Sequence, residues 1–440
     1  ITPGKKYRGA LSMPKVALAT LGCKVNQYET QVLRERLVQA GFREVPFKEK
    51  ADFYIINTCS VTQRADHKSE ELIKAARKNG SNARLIVTGC YAEAEKDELR
   101  KRLPQIDLVV GNEEKLKIPH IITGPNRNFR DTELLIQTFY AHNRAFVKIE
   151  DGCNQFCSYC RVPYVRGAKI KSRPPNEVLK EVESLIFNGF KEIVLVGVNL
   201  ALYGRDLDPP ISLVDLLRGM QYLEKTVRVR LSSLEAHLLP SGLIDFISNC
   251  RLICAHLHLP LQSGDPEILQ KMGRRYTPDQ YRRLVENIKR MVPSVAITTD
   301  VMVGFPGETQ RQFLNTYHFV REIGFSRLHI FRFSPRIETR AYSMQPRVED
   351  KVKKERSNRL RELGENLAQS FASHFLGDTL RVLVEERVDP KTGLFSGYSD
   401  NYIRVSFKGK KELENKLVII RLISVNQGQI MGEAEKVLSC

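Results

Sequence analysis

The sequence predicts an α/β multidomain protein: a small parallel α/β sheet domain, a partial (β/α)6 TIM-like barrel, and a C-terminal all-β, OB-like barrel. Three observations predict it. Strand and helix patterns alternate from residue 14 to about residue 350, as βαβ crossovers and parallel sheets require. The texture changes at Leu376, after which short strands are punctuated by Gly, Asn and Asp-Pro. The chain has 440 residues, 42% of them hydrophobic, which is too long for one ordinary core and apolar enough for several.

Residues 13–125 are expected to form the first domain. KVALATLGC reads as a strand ending at Cys23, and QYETQVLRERLVQAG has helical spacing with a stop at Gly41. DFYIINTC is a strand ending at Cys59, followed by the helical RADHKSEELIKAARKNG. RLIVTGC is a strand ending at Cys90, followed by AEAEKDELRKRL, and IDLVVGN makes a fourth strand. Parallel strands share one C-terminal edge, where open α/β sheets bind ligands. Cys23, Cys59 and Cys90 lie 36 and 31 residues apart, yet each closes a strand. The fold therefore makes them neighbours, and they read as one metal centre rather than as three separate core cysteines.

Residues 126–144 read as a linker, and residues 145–375 as the barrel with a C-terminal helix. Its strands are AFVKIEDGC, EIVLVGVN, VRVRLSSLE, AHLHLPLQSG, AITTDVMVGF and RLHIFRF, with crossovers such as NEVLKEVESLIFNG and PDQYRRLVENIKRMV. Chemistry is expected at the C-terminal mouth of such a barrel. Gly197, Asn199, Glu235, Gln262 and Ser263 are mouth positions, suited to ribose or carboxylate contacts or to satisfying backbone groups in turns. His256 and His258 share a strand face and read as satisfied interior histidines rather than a zinc pair. VGFPGE lacks the Gly-Lys-Ser/Thr ending of a phosphate loop and reads as a turn. Residues 349–375 form one amphipathic helical pattern. Residues 376–440 supply TLRVLVEER, LFSGYSDN, YIRVSFK and NKLVIIRLISV to the β barrel.

Nine cysteines stand at 23, 59, 90, 153, 157, 160, 250, 254 and 440, an odd and clustered set unlike a secreted disulfide framework. The start has no secretory apolar region, and no apolar run approaches the roughly 18 residues of a membrane span. A cytoplasmic protein with no membrane partner is expected, with Met13 as the natural start. Cys250 and Cys254 read as core, and Cys440 as without a role. The net charge of +18 points to a polyanionic partner, nucleic acid above all. From Arg321 to Arg361 there are twelve Lys/Arg against five Asp/Glu, whereas residues 376–440 hold ten against nine. RNA affinity is thus expected from barrel and β domain jointly. Tyr398, Tyr402 and Phe407 are candidates for base stacking, with core packing as the alternative for Phe407.

CNQFCSYC places Cys153, Cys157 and Cys160 in one tight loop with no fourth cysteine nearby. Structural zinc takes four ligands, and three thiolates neutralise the charge that a catalytic zinc needs. A 4Fe–4S cluster held by three cysteines keeps one iron open to a chelating small molecule.

This CxxxCxxC stretch, with Tyr159 before its last cysteine, resembles the radical S-adenosylmethionine signature. LGCKVNQYET, INTCSVTQRADHKS, VTGCYA, DGCNQFCSYCRVPYVRG, LHLPLQSGDPEILQKMGRRYT and VGFPGET together resemble the methylthiotransferase family over nearly the whole chain. The C-terminal β domain resembles its TRAM module. The resemblance implies two 4Fe–4S clusters, one on Cys153, Cys157 and Cys160 and an auxiliary one on Cys23, Cys59 and Cys90. It implies S-adenosylmethionine chelated at the open iron, with Tyr159 near the adenine, and reductive cleavage giving a 5′-deoxyadenosyl radical. Sulfur at the auxiliary cluster and a methyl group from a second S-adenosylmethionine then make a methylthio group.

GVNLALYG and LHIFRFSPRIETRAYSM most resemble the branch acting on C2 of N6-threonylcarbamoyladenosine 37 in the tRNA anticodon loop. The departures are Arg332 in place of a proline and Ile337-Glu338 in place of Pro-Gly. A threonylcarbamoyl carboxylate suits Arg332, Arg336 and Arg340, whereas an isopentenyl group wants an apolar pocket. Implied partners are tRNA, an electron-donor protein and, as an open alternative to the auxiliary cluster, a sulfur donor. The alternatives are the isopentenyladenosine-37 branch, the ribosomal-protein aspartate branch and, in another class, a non-catalytic iron–sulfur RNA-binding protein.

Overall fold

The computed structural model describes residues 13–124, 136–140, 142–386, 388–426 and 428–438. Residues 1–12, most of the expected linker 126–144 and Cys440 lie outside the described residues. The chain divides into two compact units, 1–136 and 137–440.

In the first unit the strands are β1 (Lys15–Thr20), β2 (Arg43–Glu44), β3 (Phe53–Thr58), β4 (Arg84–Gly89) and β5 (Leu108–Val110). They form one parallel sheet in the order β2-β1-β3-β4-β5. Helices cover both faces, so the strands are apolar on both. Tyr54, Ile56, Leu85 and Val87 enter one core. Val16, Leu18, Ile55 and Ile86 enter the other. The period of two along each strand produces this division. The two-residue β2 is the strand that residue patterning missed. AEAEKDELRKRL is split into helices Cys90–Ala94 and Lys96–Arg102, the first starting directly at the end of β4.

The second unit begins with β6 (Ala145–Lys148) and a short antiparallel pair, β7 (Glu150–Asp151) and β8 (Lys171–Ser172). β9 (Glu192–Val196) and β10 (Arg228–Leu231) join β6 in a parallel sheet, and β11 (His256–His258), β12 (Ala296–Val303) and β13 (Arg327–Arg332) form another. Parallel bridges Val229↔Ile253 and Ser233↔His258 tie the two sheets. Six parallel strands thus follow one another in chain order as a half-barrel. Its outer edge packs on the helix Asp350–Ser373, where a Cβ on Gly364 would stand 3.2 Å from the Leu328 side chain.

β14 (Thr379–Val384), β15 (Phe395–Ser399), β16 (Arg404–Phe407), β17 (Leu417–Asn426) and β18 (Gln429–Val437) close into a barrel in the order β14-β15-β16-β18-β17. Val382, Val384, Val405, Phe407, Val418 and Ile420 fill it. Phe407 is fully buried, so it is core and not a base-stacking ring. No helix among the described residues is long and apolar enough to cross a membrane.

Candidate functional site

In the first unit the strand ends do what the alternating pattern implied. Cys23 caps the helix after β1, Cys59 follows β3, and Cys90 opens the helix after β4. Two backbone features bring them close. Gly22 has φ +105, and a Cβ there would stand 2.9 Å from Cys59 Sγ. Gly89 has φ +99, and a Cβ there would stand 2.3 Å from the Thr58 carbonyl. Side chains with a Cβ do not fit either position. Buried polar groups then stitch the strand ends together. Asn26 Nδ2 donates to the carbonyls of Leu21 (2.8 Å) and Thr58 (3.0 Å), and Thr58 Oγ1 donates to Thr88 O (2.6 Å). Asn57 Nδ2 donates to Asn26 O at 3.0 Å. Asn26 and Asn57 brace the strand ends, which the cysteine count alone did not reveal; their signal lay in the motifs LGCKVNQ and INTC. Burial pushes the Cys59 thiol up to about 12, and Cys90 and Cys23 add to the shift. Cys59 is thus the thiol that feels both of the others.

In the second unit the loop after β7 carries Cys153, Cys157 and Cys160. Gly152 turns the chain with φ +84, where a Cβ would stand 2.1 Å from Lys169 O. Cys153 N–H donates to Gly167 O (3.1 Å), Ser158 N–H to Met272 O (2.9 Å) and Cys160 N–H to Cys157 O (3.0 Å). Ala341 N–H donates to Ser158 O at 2.7 Å, and Arg340 Nη2 donates to Phe156 O at 3.0 Å. The loop is therefore held from three separate segments. Burial pushes Cys153 up to about 11 and Cys160 up to about 12, each raised further by Cys157. Burial also drives the Tyr159 phenol well above its usual range. Tyr159 packs against Ile268, Met272, Phe305, Phe333 and Ala341.

The donor set fits a metal cluster. Clustered thiols lose their protons when a cationic metal supplies the compensating charge. Among the described residues no cysteine is in a disulfide.

The mouth residues are brought together in part. Asn199 Oδ1 accepts from Glu235 N–H and from Ala201 N–H, both at 3.2 Å, and Asn199 N–H donates to Glu150 Oε2 at 2.9 Å. A Cβ on Gly197 would stand 2.5 Å from that same carboxylate oxygen. Gln262 adopts φ +66 and exchanges backbone bonds with β12, donating to Asp300 O and accepting from Met302 N–H, both at 2.8 Å. Ser263 is buried, with its hydroxyl on Thr316 Oγ1 (3.0 Å) and accepting from Asp265 N–H (3.1 Å). Residue reading missed Arg274, in the stretch MGRRYT. Its guanidinium donates to Glu235 Oε1 (2.5 Å), Pro260 O (3.1 Å), Tyr276 Oη (3.2 Å) and Cys157 Sγ (3.6 Å). It links the cysteine loop to the mouth carboxylate.

The three arginines at and after the end of β13 differ in their settings. Arg332 is exposed, Arg336 is 5% exposed, and Arg340 braces the cysteine loop. Glu338, one of the departures from the family pattern, clamps Arg161 through Nε (3.0 Å) and Nη2 (2.6 Å). Tyr402 is stacked by His256 (4.5 Å between centroids) and by Tyr398 (4.8 Å), so its faces are occupied within the protein and not offered to bases.

Residues 15–111 match the model of the Uncharacterized protein family UPF0004, and residues 147–320 match the Radical SAM superfamily. The threonylcarbamoyladenosine tRNA methylthiotransferase MtaB of Bacillus subtilis (strain 168) is 36% identical over 443 residues, covering 96% of this chain and 98% of that protein. This chain belongs to the radical S-adenosylmethionine methylthiotransferase family. The similarly named protein of Aquifex aeolicus (strain VF5) is 37% identical to this methylthiotransferase, covering 92% of it and 99% of that protein. A tRNA-2-methylthio-N(6)-dimethylallyladenosine synthase of Lachnoclostridium phytofermentans is 33% identical, covering 98% and 97%. The methylthiotransferase shares its fold with the radical S-adenosylmethionine methyltransferase TsrM from Kitasatospora setae, at TM-score 0.54 and 15% identity, covering 75% of this chain and 77% of that one. It is thus a tRNA-modifying transferase that works with S-adenosylmethionine and two 4Fe–4S clusters.

Proposed function

We propose that this methylthiotransferase places a methylthio group on C2 of N6-threonylcarbamoyladenosine 37 in the tRNA anticodon loop. The observation that carries the reading is the strand-end edge of the half-barrel, where a three-thiol loop is tied through Arg274 to Glu235. Relatives named for threonylcarbamoyladenosine are 36–37% identical, and those named for dimethylallyladenosine 32–33%, which supports the first substrate.

Cys153, Cys157 and Cys160 would hold the cluster that meets S-adenosylmethionine, and Cys23, Cys59 and Cys90 the auxiliary one. When bound, the cluster and S-adenosylmethionine supply homolytic hydrogen abstraction from an unactivated C–H, which no side chain can provide. The protein's residues do the rest. The Glu235 carboxylate, held by Arg274 on a backbone whose N–H donates to Asn199 Oδ1, offers acceptors to a ribose or an amino group at the mouth. Gly197 and Gln262 admit close backbone approach, and Ser263 holds the turn between them and the helix at Pro266–Met272. Tyr159 and its apolar neighbours keep water from the adenine side. Arg332 is the exposed cation for the threonylcarbamoyl carboxylate, while Arg340 and Arg336 shape the loop around it. An electron-donor protein supplies the reducing electron; sulfur comes from the auxiliary centre or from a sulfur donor acting on it.

The Arg332→Ala variant tests the substrate reading. Its affinity for threonylcarbamoylated anticodon stem-loop is expected to fall about tenfold, with little change on unmodified RNA. Equal loss on both RNAs would mean that Arg332 contacts only phosphate.

A further inference from the structure

We infer that His258, Asp300 and His329 form a binding site for a divalent first-row transition ion, zinc above all, that uses none of the six cluster cysteines. The three residues stand on adjacent parallel strands, β11, β12 and β13. Thr298 is the register partner of His258, and Asp300 that of His329, so all four side chains share one sheet face. The opposite face of β12 carries the fully buried Val301 and Val303.

The donor atoms are already spaced for a metal. Asp300 Oδ1 stands 3.4 Å from His258 Nε2 and 3.3 Å from His329 Nδ1. Two ligands each about 2.05 Å from a tetrahedral zinc stand about 3.3 Å apart, so one ion fits against the carboxylate with little rearrangement. All three donor atoms lie within 4.8 Å of one another. As an ordinary hydrogen bond, 3.3–3.4 Å is long.

Neighbouring groups prepare the ligands. His258 Nδ1 is 2.9 Å from Thr298 Oγ1, which orients the ring with Nε2 facing Asp300. His256 meets the same hydroxyl at 3.0 Å through Nε2 and stacks on Tyr402, so it belongs to the support and not to the ligand set. Side-chain exposures of 12%, 23% and 43% for His258, Asp300 and His329 leave coordination positions open to water or another small oxygen donor. Two imidazoles and one carboxylate select zinc, iron or nickel over magnesium and calcium.

The test uses the full chain with its clusters reconstituted anaerobically, so that iron occupies the cysteines, followed by a chelator wash. Zinc titration monitored by elemental analysis is expected to show one zinc per chain beyond the cluster irons. His329→Ala and Asp300→Asn are expected to weaken zinc binding at least tenfold, while His256→Asn retains it. Cobalt in place of zinc is expected to show visible d–d bands without thiolate charge transfer. Should Asp300→Asn not fold, the more exposed His329→Ala reads the same quantity. Zinc absent from the wild type, zinc binding unaltered in both ligand variants, or cobalt–thiolate bands would each overturn the assignment.

Discussion

Arg274 shows at the residue scale why side-chain chemistry and not charge alone builds the site. Its planar fork meets a carboxylate, a carbonyl, a phenol and a thiol at once, which a lysine ammonium cannot do. The Arg274→Lys variant is expected to lose at least tenfold in turnover while retaining about eight irons per chain, the content of two 4Fe–4S clusters. Cys157→Ala is expected to drop to about four irons and to make no 5′-deoxyadenosine. If iron content stays at eight in Cys157→Ala, this cysteine is not a ligand. Glu150 gives a pH test. Burial pushes its carboxyl up to about 8, against the backbone hydrogen bond from Asn199, and its Oε1 has no hydrogen-bond partner among the described residues. The folded state therefore binds a proton that the unfolded state has released above about pH 4.3. Stability is lost as pH rises from there toward 8. The Glu150→Gln variant is expected to flatten that decline and to be more stable than the wild type at pH 8, by urea unfolding; an unchanged pH slope would place the charge elsewhere.

At the scale of elements, the site is made by strand ends. A Gly89→Ala substitution adds a Cβ 2.3 Å from Thr58 O at a φ of +99. Two or more kcal/mol of stability is expected to be lost, together with iron at the auxiliary centre. Normal iron loading and unfolding in that variant would contradict the stitched-edge account. The same elements show what was legible beforehand. Cys23, Cys59 and Cys90 were readable because apolar runs end at each of them, and the parallel edge follows from topology. Arg274 was not, because its partners Glu235 and Cys157 lie 39 and 117 residues away. β2, with two residues, carries too little pattern to register, and β18 was hidden by its polar outward face. Glu338 replaces a turn-forming pair with an ion-pairing group, and only the fold shows Arg161 as its partner.

Across the whole second unit, one buried ionic knot joins the half-barrel to the closed β barrel. Glu192 receives Arg228 and Arg230, and these donate onward to Asp400, to Tyr398 O and to Ser399 O. Burial alone would raise the Glu192 carboxyl, but Arg230 and Arg228 hold it well below the usual carboxylate range. Its contribution is therefore complete above about pH 4.3 and is lost only as pH falls through the lowered folded value. The Glu192→Gln variant leaves the buried Arg230 guanidinium with no carboxylate and Arg228 with Asp400 alone, and a loss of about 3–5 kcal/mol is expected by denaturant unfolding. The excess charge of +18 over the whole chain predicts RNA binding that weakens about a thousandfold or more between roughly 50 and 200 mM salt. All of this serves one reaction, and nucleoside mass spectrometry measures it directly. The anaerobically reconstituted chain, given S-adenosylmethionine, a reductant and defined tRNAs, is expected to convert N6-threonylcarbamoyladenosine 37 to its 2-methylthio form while leaving dimethylallyladenosine 37 unchanged. Methylthiolation of the dimethylallyl nucleoside instead, or of neither, would contradict the account.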